Sequence, residues 1–317
     1  MILLLGASGY IGQAFAAELQ RRHRPFTPLS RRESDYSRFE TLLAYLREAR
    51  PAFVINAAGY IGKPNVDACE NAKAETLLGN TVLPMTISHA CAAAKIPWGH
   101  VSTGCIYNGA KLRDEDSGWR IEPDLNKPDV RRLFDTKPEA FKGFTEDDGP
   151  NFSFRHPPCS FHNGTKVLAE EAIVDTGQIY VWRLRIPFDE FDSPRNSLTK
   201  LQRYPKVHDN INSFSHRGDF VRACLDLWER KAPFGIYNVT NPGAISTRRI
   251  VEKIQRILKP ARPFEFFTDD AEFYQTGVKA PRSNCILDTA KILAAGVKMR
   301  PVEQAMEHSL QNWKPIP

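Results

Sequence analysis

Seven residues near the start of the chain constrain its fold more than any other stretch: Gly6-Ala7-Ser8-Gly9-Tyr10-Ile11-Gly12, directly behind the apolar run Met1-Ile2-Leu3-Leu4-Leu5. An apolar run of strand length enters a turn with glycines three residues apart, and the helical pattern of Ala14, Phe15 and Leu19 follows. Glycine lets the backbone turn tightly and approach a phosphate, while the helix start offers free N–H groups and the positive end of its dipole. Gly6, Ser8, Gly9, Tyr10, Ile11 and Gly12 are therefore read as the pyrophosphate end of a dinucleotide site. The spacing is GxxGxxG rather than GxGxxG, so the flanking strand and helix carry the reading more than the glycines do.

The same unit recurs along the chain. Pro25–Leu29 reads as a short second strand ending at Ser30-Arg31-Arg32, followed by a helix through Phe39, Leu42, Leu43, Tyr45 and Leu46. Phe53-Val54-Ile55 leads into Asn56-Ala57-Ala58-Gly59, and a helix with apolar positions Leu77, Leu78, Val82, Met85 and Ile87 comes next. Trp98–Ser102 runs into Thr103-Gly104-Cys105, helical character returns over Thr165–Ile173, and Ile179–Ile186 is a strand stopped by Pro187. Strands alternating with helices over roughly 180 residues predict an α/β fold, a Rossmann-type doubly wound parallel sheet. The alternation breaks beyond Pro187, which predicts a smaller mixed α+β substrate lobe. The expected division is a nucleotide-binding domain over 1–186, rejoined by about 214–240, and a lobe built from 187–213 and 241–317. Residues 108–150 are polar and Pro-rich, with Arg113-Asp114-Glu115-Asp116, and read as a surface insertion in the first domain, either a lid or a plain loop.

Ligands of such sheets lie at the carboxyl ends of the strands, where these motifs fall. The second strand ends beside the adenosine ribose, and an acidic residue there would take the ribose 2′-OH of NAD. Here Ser30, Arg31 and Arg32 occupy that place, and a guanidinium suits a 2′-phosphate by charge and fork geometry. NADP(H) is the expected cofactor, with NAD(H) as the alternative. Asn56, Ala57 and Ala58 at the end of the third strand, and Pro187 beside the nicotinamide, complete the expected cradle.

The net charge of +6 is spread along the chain, a pattern that favours an anionic small ligand over nucleic acid. None of the six cysteines forms a CxxC pair or a metal-ligand spacing, so no metal site is expected and reduced thiols of a cytoplasmic protein are. The first apolar run has no basic segment before it and ends in the glycine turn, so it reads as a core strand rather than a signal peptide. No window approaches the ~20 apolar residues of a membrane span.

Taken together, these motifs resemble the extended short-chain dehydrogenase/reductase superfamily, and within it the plant-type nucleotide-rhamnose synthases. The resemblance rests on Asn56–Asp67 (NAAGYIGKPNVD), Thr103-Gly104-Cys105-Ile106, Phe144–Asp148, Pro150-Asn151-Phe152, Pro194-Arg195-Asn196 with Thr199-Lys200, Gly235–Asn238, Thr240–Gly243 and Ala280–Asn284 (APRSN) with Leu287-Asp288. The bacterial dTDP-4-dehydrorhamnose reductases look more distant. The resemblance implies an enzyme that takes a UDP- or dTDP-linked 4-keto-6-deoxyglucose, epimerises C3 and C5, and reduces C4 toward rhamnose. It implies Cys105 and Lys200 as the epimerase pair, Arg282 on the diphosphate, and Arg195 and Asn196 at the sugar end. It also implies a homodimer.

In the superfamily a Ser or Thr, a Tyr and a Lys four residues after the Tyr carry the reduction. Thr103 and Lys166 match, Lys166 holding the nicotinamide ribose. The tyrosine's place is taken by His162, and no tyrosine lies between Tyr107 and Tyr180. His162 is then the proton donor in the tyrosine's stead, a residue whose task has been lost or moved, or a purely structural replacement. A different keto sugar nucleotide, or a non-catalytic NADP-binding subunit, are the other readings this departure leaves.

Overall fold

The apolar run behind Met1 forms strand β1 (Ile2–Leu5), with all four side chains buried. Leu3 and Leu5 pack with Leu42, Leu46, Val54, Ile87 and Trp98 on one face. Ile2 and Leu4 face the opposite way, as the two-residue period of a strand requires. A strand covered on both faces needs an unbroken apolar run, and each fully buried leucine contributes about 2 kcal/mol. The structure is a computed structural model describing residues 1–114 and 118–315. Glu115 and Asp116 of the expected insertion, and residues 316 and 317 of the expected lobe, lie outside the described residues.

The chain divides into two compact units. The first comprises residues 1–103, 153–183 and 224–237, and the second 104–152, 184–223 and 238–317. The first unit adds strands Phe26–Leu29 (β2), Phe53–Asn56 (β3), Trp98–Thr103 (β4), Ile179–Leu184 (β5) and Gly235–Asn238 (β6). They form one sheet in the order β6-β5-β4-β3-β1-β2. The pairs β1–β2, β1–β3 and β3–β4 are parallel, with Leu5 opposite both Leu29 and Asn56. Strand order reverses between β1 and β3, so the switch point of this doubly wound sheet lies just past Leu5 and Asn56. Gly6 sits there with φ +76°, and a Cβ on it would lie 2.5 Å from the Ala58 nitrogen. Only glycine fits both the conformation and the space.

One helical segment departs from its sequence pattern. Leu77, Leu78 and Val82, expected on a buried face, are 38%, 58% and 41% exposed, while Thr76, Asn80 and Thr81 are buried. The helix carries a π-turn at Leu78–Val82 between the α-helical stretches Lys73–Leu77 and Leu83–Ala94. The wider turn rotates the following face and breaks the 3.6-residue register on which the expectation rested. Polar anchoring holds it there. Asn80 exchanges two hydrogen bonds with the Tyr60 backbone, both 2.8 Å, and the Thr81 hydroxyl donates to the Thr165 carbonyl at 2.8 Å.

The helix expected from Thr165 begins at Phe161 and runs to Ile173. Ser160 caps it, accepting from the Asn163 N–H at 3.2 Å. Gly164, which weakens a helix in isolation, is required by packing: a Cβ there would meet Phe154 Cδ1 at 2.5 Å. The basic cluster Arg21–Arg24 is tied down within the same unit. Arg22 bonds Glu18 (2.7 Å), Asp226 (2.8 Å) and Glu229 (2.8 Å), and Arg24 bonds Glu229 (2.9 Å).

In the second unit, the segment 108–150 corrects the reading of it as an insertion in the nucleotide-binding domain. Ala110–Asp114 pairs antiparallel with Gly118–Glu122 on one side and with Phe141–Lys142 on the other. The helix Pro128–Thr136 adds Val130 and Phe134 to a core with Ala110, Leu112, Leu125, Ile211 and Ile286. Its polar text is that of a small hairpin and helix with one apolar face each, which composition alone does not distinguish from a loop. A second core joins Phe188, Leu198, Phe214 and Ile245 to the helices Thr247–Leu258 and Val302–Gln311 through Ile250, Ile254, Val302 and Met306.

Candidate functional site

The first unit presents the features expected of a dinucleotide cradle. The helix Tyr10–Arg21 starts after Gly9 with no side-chain cap and no acidic residue in its first turn. The opening N–H groups of a helix have no partner within it, so this end offers an anion both donors and a positive dipole. At the end of β2, Arg31 and Arg32 are exposed. Ser30 is engaged otherwise: its hydroxyl and its N–H donate to the Glu33 carboxylate at 2.7 and 2.9 Å. Those bonds hold the Glu33 carboxyl below its ordinary range. Asn56 is fully buried, accepting from the Ala58 N–H at 3.0 Å and donating through Nδ2 to His100 Nδ1 at 3.0 Å. It shapes the Asn56–Gly59 turn rather than reaching outward, which corrects its reading as a ligand contact. Ala57 extends the sheet, its N–H donating to the Leu5 carbonyl at 3.0 Å.

Lys166 and His162 stand one turn apart on the helix Phe161–Ile173, both buried. The Lys166 ammonium donates to the Val101 carbonyl at 3.3 Å. Burial pulls its pKa down to about 8, against the opposing pull of Glu170. Glu170 itself is tied to Arg183 (2.7 Å) and accepts from the Ser102 hydroxyl at 2.5 Å. Thr103, at the end of β4, is 9% exposed. An amine near pKa 8 is mostly protonated at pH 7 yet gives its proton readily, the condition general acid catalysis favours.

His162 differs from the expectation for a proton donor. Its Nδ1 lies 2.9 Å from the Asn163 Oδ1, an oxygen that can only accept, so Nδ1 carries the hydrogen. Burial lowers the ring's pKa to about 4, so at pH 7 it is neutral and Nε2 holds a lone pair. Nε2 is buried without a hydrogen-bond partner among the described residues. In this arrangement Nε2 of His162 is a hydrogen-bond acceptor; it has no hydrogen to give.

The second unit gathers the residues expected for epimerisation. Cys105 follows β4 by two residues and is partly exposed. Arg185, fully buried, donates through Nη1 to the Cys105 sulfur at 3.1 Å and to the Ser283 hydroxyl at 3.1 Å. Its Nη2 donates to the Ser283 carbonyl at 2.9 Å and to the Asn212 Oδ1. Lys200 lies half-buried on the helix Ser197–Arg203. Its pKa is lowered, first by burial and then by the Arg195 and Arg282 charges. Arg282 lines a cavity of about 210 Å³ with Asn108, Asp124, Asn126, Asn210 and Tyr274. The segment Arg282-Ser283 thus neighbours both expected epimerase groups, Lys200 through Arg282 and Cys105 through Ser283 and Arg185.

One expected contact is corrected here. Asn196 is fully buried as the cap of the helix Ser197–Arg203, accepting from Leu198 N–H at 3.0 Å and donating to Asp189 and Phe191 oxygens at 2.8 Å. Its hydrogen-bonding capacity is spent on the fold rather than on a sugar. Pro187 belongs to the second unit, in a two-residue strand with Phe188 that pairs with Ser215 and His216. The Phe144–Asp148 motif is likewise architectural: Phe144 stacks on Tyr107 at 4.7 Å, Glu146 accepts from Asn238 N–H at 2.7 Å and Asp148 binds Lys111.

Sequence reasoning missed Arg185, Glu170 and Asn80. Arg185 had a signal, since Arg183 and Arg185 interrupt the otherwise apolar strand Ile179–Ile186. Charges inside a core strand have to be matched by something. Among the described residues no cluster of His, Cys, Asp and Glu could hold a metal ion, and no helix is long and apolar enough to cross a membrane.

Residues 1–314 match the model of the family described as RmlD substrate binding domain, and the chain belongs to that family. It is 29% identical over 305 residues to the bifunctional dTDP-4-dehydrorhamnose 3,5-epimerase/dTDP-4-dehydrorhamnose reductase of Arabidopsis thaliana, covering 96% of this chain and 90% of that one. Among solved structures it resembles the UDP-rhamnose synthase of Acanthamoeba polyphaga mimivirus, with TM-score 0.81, 22% identity and 98% of each chain covered. It also resembles the dTDP-4-dehydrorhamnose reductase of Bacillus anthracis in complex with NADP, with TM-score 0.74 and 17% identity over 98% of this chain and 97% of that one. These likenesses agree with the Rossmann-type sheet described above.

Proposed function

We propose that the chain is an NADP(H)-dependent enzyme acting on a UDP- or dTDP-linked 4-keto-6-deoxyhexose, which it epimerises at C3 and C5 and reduces at C4 toward rhamnose. The observation that carries this reading is the likeness to a 3,5-epimerase/reductase over 96% of the chain. The uncapped helix start at Gly9 and the glycine turn at Gly6 suit a dinucleotide pyrophosphate. When bound, NADPH supplies the hydride to C4. Thr103 holds the carbonyl, Lys166 holds the nicotinamide ribose and gives the carbonyl oxygen its proton, and His162 is an acceptor beside it. Cys105 and Lys200 move the carbon-bound protons, Arg282 binds the diphosphate, and Arg195 lies at the sugar end. The test is incubation of the protein with each keto sugar nucleotide and NADPH. Rhamnose nucleotide with matched loss of NADPH is expected; an unchanged keto sugar and undiminished NADPH contradict the reading.

Cofactor choice follows from Arg31 and Arg32. Charge reversal of both, Arg31→Glu with Arg32→Glu, is expected to weaken NADPH binding by about 2 to 3 kcal/mol while NADH binding changes little, since two charge-assisted contacts to a 2′-phosphate are lost. Titration of each cofactor by fluorescence reads this, and equal losses for both would place the arginines elsewhere.

We also infer a homodimer in which a second copy covers Leu78 and Val82, large apolar side chains that the π-turn leaves on the surface. Light scattering is expected to give twice the chain mass, falling to the monomer's in Leu78→Glu; a wild-type monomer at high micromolar concentration contradicts the inference.

A further inference from the structure

Arg185 is a fully buried guanidinium with no carboxylate paired to it among the described residues. Its partners are the Cys105 sulfur, the Ser283 hydroxyl and carbonyl, and the Asn212 amide oxygen. Its Nε has no hydrogen-bond acceptor among the described residues. Guanidinium groups remain charged in proteins, and a buried charge is retained only where something compensates it. Arg183, two residues earlier, shows the ordinary solution: it forms a buried pair with Glu170 at 2.7 Å. Of the groups the Arg185 guanidinium hydrogen-bonds among the described residues, the Cys105 thiol at 3.1 Å is the one able to become an anion.

We propose that Arg185 is the positioning residue of the epimerase centre: it fixes the Cys105 sulfur and supplies the counter-charge when that sulfur is a thiolate, which makes Cys105 the base and Lys200 the acid of the proton transfer. This rests on the reading of Cys105 and Lys200 as the epimerase pair. In the step, the Cys105 thiolate takes the proton from the carbon beside the C4 ketone. The C–H bond breaks, an S–H bond forms, and the released electron pair passes into the enolate. The Lys200 ammonium then returns a proton to that carbon on the opposite face, a C–H bond forms, and the amine is left neutral. Proton exchange with water restores both groups. No oxidant or reductant enters. The surroundings of Lys200 suit its part, since burial and the cations Arg195 and Arg282 make its proton easier to give up. The remaining contacts explain the rigidity of the arrangement. Ser283 accepts from both terminal guanidinium nitrogens and donates from its hydroxyl to the Tyr107 carbonyl. Asn212 accepts from Arg185 and from the Cys285 N–H.

The test compares wild type, Arg185→Met, Arg185→Lys and Ser283→Ala by two readouts at pH 7. One is incorporation of solvent deuterium at C3 and C5 of the keto sugar nucleotide. The other is the rate at which iodoacetamide alkylates Cys105, followed by peptide mass spectrometry without any sugar present. Arg185→Met is expected to lower kcat for exchange at least about 10-fold with KM within about twofold, and to slow alkylation about fivefold or more. Arg185→Lys keeps the charge and is expected to recover part of both; Ser283→Ala, which loosens the guanidinium without removing it, falls between. Should Arg185→Met fail to fold, the lysine and alanine variants carry the comparison. Unchanged exchange and unchanged alkylation in the folded variants overturn the proposal. Alkylation that depends on Arg185 in a wild-type protein that exchanges no sugar protons overturns the epimerase reading instead, because the thiol readout needs no substrate.

Discussion

Cys105→Ser is expected to slow exchange of the C3 and C5 protons by about 100- to 10,000-fold, the range an acid–base group contributes, while leaving NADPH binding intact. The substitution preserves size and a hydroxyl but not acidity, because an alcohol does not ionise at neutral pH where a thiol can. The Arg185 N–H that meets the sulfur at 3.1 Å would then face a neutral oxygen, and the buried guanidinium would lose the ionisable group it hydrogen-bonds. Exchange is measured by NMR in D2O, and binding by fluorescence titration of NADPH. A serine variant that exchanges within a few-fold of wild type would move the base elsewhere.

Lys166→Met separates the two halves of the chemistry and carries the other large effect. Reduction of the keto sugar is expected to fall about 1000-fold, because proton donor and ribose contact are lost together, whereas exchange at C3 and C5 persists. His162→Phe is expected to change reduction by no more than about fivefold, since the neutral ring with its hydrogen on Nδ1 gives up no proton from Nε2. The reverse ranking of these two variants would make His162 the donor after all. Stability should move in the opposite direction to activity. The Lys166 pKa is about 8 in the folded protein against 10.5 for the free side chain. Between those values the unfolded chain holds a proton that the folded one has released, so stability rises with pH across the window, and the penalty is full below pH 8. Removing the amine is expected to raise stability at pH 7 by about 1 to 3 kcal/mol and to flatten this rise, as read by urea unfolding at several pH values. The reduction rate of the wild type should fall as pH passes above about 8, where Lys166 loses the proton it donates.

Much of the first unit was legible because its signals are local. An unbroken apolar run specifies a strand buried on both faces, and a glycine with no room for a Cβ specifies a turn, as β1 and Gly6 show. The π-turn at Leu78–Val82 was not legible, since apolar periodicity assumes 3.6 residues per turn and here buried Asn80 and Thr81 set the register instead. Segment 108–150 misled because a small antiparallel sheet with one wet face is as polar as a loop. Cys105 and Lys200 stood out only through motif resemblance, and the same resemblance gave Asn196 a sugar contact that its role as a helix cap denies it. Arg185 is 80 residues from Cys105 and 98 from Ser283, so its partnership exists only in three dimensions. The odd charge in the strand could have been flagged, but its partner could not.

This chain is expected to move carbon-bound protons of a 4-keto-6-deoxyhexose nucleotide before any reduction takes place. The most direct measurement is proton NMR of the wild-type protein with UDP- and dTDP-4-keto-6-deoxyglucose in D2O, with NADPH left out. The C3 and C5 signals are expected to disappear as deuterium enters, and later addition of NADPH to convert the labelled sugar to rhamnose. Signals at C3 and C5 that stay at full intensity with both nucleotides contradict that expectation.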